Sequence, residues 1–143
     1  VNIPRRLLEE VLAHARDGYP YEVCGVMLGR NHGGAAARVE SVVRVPNRET
    51  ESPRVRYQIA PEDLIRIQRE SREQGLEIVG YYHSHPDHPA RPSETDRRIA
   101  AEGLSDGVLH VVVGVEGGRP AVPSAWIFRD AMEGFEEERL EVD

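Results

Sequence analysis

The chain has 143 residues, 39% apolar and 30% charged, which is enough to bury a core and reads as one globular domain over residues 1–143. A net charge of −7 argues against a general nucleic-acid binder, which needs a basic face. No apolar run approaches the roughly 20 residues of a membrane span, so no membrane partner is expected.

Much of the acidity is local. Residues 129–143 hold seven acids against two arginines, a pattern that reads as a solvated surface. Cys24 is the only cysteine. It permits no intrachain disulfide and rules out zinc sites built on several thiolates, and it fits a reducing, cytoplasmic setting. The opening VNIPRRLLEE lacks the apolar core of a secretory signal.

Along the chain, Ile3, Leu7, Leu8, Val11, Leu12 and Ala15 recur at helical spacing. They predict an amphipathic helix over 3–17, with Asn2 as N-cap and Gly18 as stop. Residues 23–29 form a short apolar run that predicts a buried strand, and Glu22 stands just before it. Cys24, two residues from Glu22, shares its side of an extended chain and reads as a buried thiol. A turn with Asn31, Gly33 and Gly34 leads into 37–45, the alternating partner strand of a hairpin. The polar, proline-bounded stretch 46–53 predicts a loop, and 54–59 a third strand.

Pro61 opens a second helix to about residue 74, with Leu64, Ile65, Ile67 and Gln68 available to a core and Gly75 ending it. Residues 77–83 predict the next strand, 86–92 a rigid loop with three prolines, and 93–102 a third helix stopped by Gly103. A strongly apolar strand follows over 108–115. Gly117-Gly118 turns the chain into its antiparallel neighbour over 122–129, and 135–142 can add a short last strand. The order predicts an α/β (mixed α+β) domain with a mixed sheet flanked by helices.

The chemistry concentrates in HSHPDHPARPSETD, residues 83–96. At the end of a strand, His83 and His85 point to one side and Ser84 to the other. Two neutral imidazoles so placed can grip one cation, and Asp96 is the candidate third ligand of a catalytic zinc. A structural reading competes. Ser93-Glu94-Thr95-Asp96 also fits a capping box, in which the Ser93 hydroxyl serves the helix. His88 reads as a surface loop residue, His110 as structural, and Asp87 has no assigned role.

The pattern His-x-His-Pro, six residues, Ser, two residues, Asp resembles the signature of the JAMM (MPN-plus) metalloproteases. Glu22, placed before Val23-Cys24-Gly25-Val26-Met27-Leu28-Gly29, is similar to that family's upstream glutamate. The short chain looks like the stand-alone bacterial and archaeal branch. The resemblance implies a twisted mixed sheet like that of cytidine deaminases. It implies one Zn²⁺ on His83, His85 and Asp96 with a water in the fourth position. Glu22 would be the general base and Ser93 the oxyanion donor. It further implies hydrolysis at the Gly-Gly tail of a ubiquitin-like or sulfur-carrier protein.

The alternatives are an MPN-type scaffold without catalysis and a peptidase of cell-wall or phage-tail peptides. A zinc nucleoside deaminase would need a Pro-Cys-x-x-Cys pair that one cysteine cannot supply. The oligomeric state is left open, a homo-oligomer included.

Overall fold

A computed structural model describes residues 1–30, 34–103 and 105–143. Its elements are β1 (Asn2–Ile3), α1 (Arg5–Gly18), β2 (Cys24–Gly29), β3 (Ser41–Val45), α2 (Pro61–Glu73), β4 (Glu77–Pro86), α3 (Glu94–Glu102), β5 (Leu109–Glu116), β6 (Arg119–Pro120), β7 (Ser124–Arg129), β8 (Gly134–Glu138) and β9 (Glu141–Val142). The main sheet runs β3-β2-β4-β5-β7-β8, with β6 folded onto β5. The crossover through α3 makes β4 and β5 parallel, and the other pairs of this sheet are antiparallel. The expected mixed sheet flanked by helices is therefore present.

Strand alternation divides the core between two faces. On one, Leu7, Leu8, Val11 and Ala15 of α1 pack with Val23, Met27, Val79, Val111, Val113 and Ile127. At about 1.5–3 kcal/mol per buried aliphatic side chain, this apolar stripe rather than helix propensity holds α1 in place. On the other face Cys24, Val26 and Leu28 meet Val45, Ile67 and Leu76 beneath α2.

Central strand β4 feeds both faces. Tyr82 packs on the α1 side, where its hydroxyl meets His14 Nδ1 at 2.7 Å. Gly25 makes room for it, since a Cβ there would lie 2.1 Å from the Tyr82 ring. His83 and His85 take the opposite face.

Several boundaries differ from the sequence expectation. Strand β4 continues to Pro86 because β5 carries the ladder on, pairing Ser84 with Val113, His85 with Gly114 and Pro86 with Val115. Both histidines thus lie within the paired length of the strand, at its C-terminal end as expected. Residues 54–59 are not a strand. The Asn47 side chain takes up their backbone groups, donating to Arg56 O at 3.0 Å and accepting from Gln58 N at 3.0 Å.

Helix α1 starts at Arg5 behind Pro4, with no side-chain cap. Asn2 lies instead in β1, paired in parallel with Glu141 of β9. Helix α2 buries Asp63, Ile67 and Ser71, while Ile65 and Gln68 are exposed. Asp63 tolerates burial because the Arg48 guanidinium pairs with it at 3.2 Å. Residues 135–142 hold two strands rather than one, because the chain leaves β8 to pair with β1. Asn31 and Gly33 of the expected turn lie outside the described residues. Among the described residues no helix is long and apolar enough to cross a membrane.

Candidate metal centre

The register of β4 against β2 and β5 puts His83 and His85 side by side on the face away from α1. Helix α3 starts opposite them and supplies Asp96 from its first turn. His83 Nε2, His85 Nε2 and Asp96 Oδ2 lie 3.1 Å from one another along all three edges. Nitrogen and oxygen ligands about 2.0–2.1 Å from a tetrahedral zinc stand ~3.3 Å apart, so the triangle fits such an ion.

The groups packed around the triangle agree. His85 Nδ1 faces the Pro89 carbonyl at 2.9 Å, which sets its proton there and leaves Nε2 a lone pair for the centre. The Tyr57 ring stacks on His83, centroids 4.6 Å apart and planes 25° apart.

Glu22 comes from the other flank, just before β2 enters the ladder at Cys24. Its N–H donates to Pro53 O at 2.8 Å and its carbonyl accepts from Asn47 Nδ2 at 3.1 Å, which fixes the backbone. A carboxylate oxygen of Glu22 lies within 4.8 Å of a ring nitrogen of both histidines. Glu22 Oε1 is buried with no hydrogen-bond partner among the described residues. A buried, unmatched acceptor beside two lone-pair nitrogens is a donor set that a cation completes.

Electrostatics follow from this crowding. Burial pushes the Glu22 carboxyl up to about 8; His85 pulls it down and Asp96 adds to the rise. Burial would also raise Asp96, but its close contacts with the His83 and His85 imidazoles hold it well below the usual carboxylate range. His83 is lowered, by burial first. His85 is lowered by burial too, yet contacts with Asp96 and the Pro89 carbonyl outweigh this and raise it. The anionic Asp96 is thus matched by neighbours that a divalent ion could replace.

Ser93 is the N-cap of α3 in a complete capping box. Its Oγ accepts from Asp96 N at 3.0 Å, and Asp96 Oδ2 accepts from Ser93 N at 2.8 Å. The expected competition for this hydroxyl resolves in physical terms, because capping uses a lone pair and leaves the O–H proton to donate. Ser84 points away, as expected, and accepts from Val23 N at 2.9 Å.

Cys24 is fully buried in the α2-side core, its thiol directed at the Val45 carbonyl and pushed up to about 12 by burial. His110 is buried against Tyr81 and Phe135. His88 is exposed and lines a cleft of about 350 Å³ together with Glu22, His85 and Ser93.

Three residues with no individual role assigned from the sequence, two of them in the 46–57 stretch expected to border a substrate groove, shape the centre. Asn47 braces Glu22. Tyr57 covers His83. Asp87, at φ 58°, accepts from Tyr19 OH at 2.7 Å and Gly117 N at 2.9 Å, so it clamps the loop that presents the Pro89 carbonyl. The far end of that loop is tied down where Ser124 Oγ donates to the Ala90 carbonyl. The unassigned acid Asp87 was the only hint in the sequence, and it names no partner.

A mixed sheet with a glutamate, two histidines and an aspartate gathered at its surface defines a JAMM-type, JAB1/MPN-fold domain. A JAB1/MPN domain protein from Archaeoglobus fulgidus shares the fold, with a TM-score of 0.62 at 21% identity over 99% of this chain and 98% of that one. The family described as prokaryotic homologs of the JAB domain matches residues 4–137, and the chain belongs to it.

Among curated relatives, a probable TtuB-protein conjugate cleaving protease of Thermus thermophilus is 35% identical over 117 residues, 82% of this chain and 72% of that protein. A desampylase of Haloferax volcanii is 36% identical over 97 residues, 65% of this chain and 67% of that protein.

Proposed function

We propose that the protein is a zinc-dependent peptidase or isopeptidase. It would hydrolyse an amide bond at the C-terminal Gly-Gly of a ubiquitin-like or sulfur-carrier protein. The observation that carries this reading is the 3.1 Å triangle of His83, His85 and Asp96 beside the unpartnered Glu22 carboxylate. The named specificity of the Thermus relative for protein conjugates supports the substrate class.

His83, His85 and Asp96 would hold the ion. When bound, Zn²⁺ supplies Lewis acidity toward the scissile carbonyl and brings the pKa of a bound water to about 7. Glu22 takes a proton from the attacking water and carries it to the leaving nitrogen. Ser93 donates a hydrogen bond from its hydroxyl to the developing oxyanion. The C–N bond breaks and a C–O bond forms. The carrier keeps its glycyl carboxylate, and the amine departs protonated.

A diglycine tail suits the site because it has no side chains and can lie extended beside the sheet. Purified protein is expected to contain about one zinc and to cleave a Gly-Gly-linked substrate. A chelator should stop cleavage and added Zn²⁺ should restore it. A metal-free preparation that cleaves at full rate would overturn the reading.

A further inference from the structure

The cleft beside Glu22 carries positive charge in a chain that is acidic overall. Its wall includes two exposed arginines, Arg56 and Arg91, and Glu22 is its one acid. Neither arginine has a side-chain hydrogen bond or ion pair among the described residues. Arg48, Arg97 and Arg129, by contrast, are each matched to a carboxylate. A second cleft of about 450 Å³ shares Arg56 and is walled by Asp96, Tyr57, Ile59, Leu64 and Phe135. It is the more apolar of the two, and Glu22 does not line it.

Under the function proposed above, on which this step rests, each side of the scissile bond takes one of the two clefts. Glu22 can pass a proton only to a nitrogen within hydrogen-bond reach. The leaving amine, and whatever it carries, therefore runs into the cleft that Glu22 lines. The acyl side is left the apolar cleft.

We infer that Arg56 and Arg91 form a carboxylate subsite for the leaving group, so that the protein favours release of a single amino acid with a free α-carboxylate. Guanidinium forks bind carboxylates in two parallel hydrogen bonds, a geometry that a lysyl side-chain amine on a folded protein does not offer.

The test compares peptides ending in Gly-Gly-Ala as the free acid and as the C-terminal amide, using zinc-loaded full-length protein. The free acid is expected to be cleaved with a kcat/KM about tenfold higher. The ratio should collapse toward one in Arg56→Gln or Arg91→Gln and persist in Arg69→Gln, exposed on α2. Calorimetry on Glu22→Gln gives a readout independent of turnover, and the acid should bind it about tenfold more tightly than the amide. Equal cleavage and binding of the two peptides, or a ratio untouched by both arginine changes, would overturn the subsite and leave the peptidase reading standing. Cleavage of neither peptide would bring down both.

Discussion

Replacing Ser93 with glycine separates two tasks held by one hydroxyl. Its lone pair accepts the Asp96 amide at 3.0 Å, while the Ser93 amide reaches Asp96 Oδ2 at 2.8 Å. Glycine keeps the backbone half of that box and is a tolerated N-cap, so the cost to stability is a few tenths of a kcal/mol; alanine costs about 1 kcal/mol. On a chain of this size the alanine change lowers Tm by roughly 2–5 °C and the glycine change by about 1 °C.

The donor role has a different scale. Losing one oxyanion donor costs about 2.7–4 kcal/mol, or 10²–10³-fold in kcat. Ser93→Gly is therefore expected to melt close to the unaltered chain, to keep its zinc, and to turn over about a hundredfold more slowly or worse. Thermal melts, elemental analysis and steady-state kinetics on one preparation read all three. A glycine variant with undiminished kcat would refute the donor role and leave Ser93 a cap alone.

Other consequences follow from buried groups and from the loop clamp. His110 is lowered to about 4 by burial, against 6.5 when unfolded. Below pH 6.5 the unfolded chain takes up this proton and the folded one does not until pH nears 4. Stability is thus full above 6.5 and falls by up to about 3 kcal/mol toward pH 4. His110→Phe should flatten that part of the Tm profile; an unchanged slope would contradict the assignment. Asp87→Ala frees Tyr19 OH and Gly117 N and loosens the loop carrying the Pro89 carbonyl. Zinc affinity should drop about tenfold in a chelator competition, the scale of losing a group that orients a metal ligand, and unaltered affinity would argue against the clamp. The Cys24 thiol, buried and raised to about 12, should resist alkylation in the folded protein and react on unfolding.

How far the sequence could be read depended on the range of the interaction. The convergence of His83 and His85 follows from strand alternation, and the Ser93 capping box from spacing within one helical turn. Both were legible because the partners sit a few residues apart. Apolar periodicity likewise located α1 and the central strands. Residues 54–59 misled because their alternating pattern looks like a strand, whereas a distant side chain, Asn47, claims their backbone. Asn2 looked like a cap because its pairing with β9 joins opposite ends of the chain. The roles of Tyr57, Asp87 and the Pro89 carbonyl could not be read for the same reason. Each acts through a partner fixed only when β4, β5 and the intervening loop are assembled.

The central claim is that Glu22 moves the proton while His83, His85 and Asp96 hold the ion. Glu22→Gln conserves shape and removes only the base. Its zinc content and its kcat on a Gly-Gly-linked substrate, measured on the same sample, test that division most directly. The expected result is one retained zinc with turnover reduced about 10²–10⁴-fold. A variant that keeps both its zinc and its full turnover would contradict it.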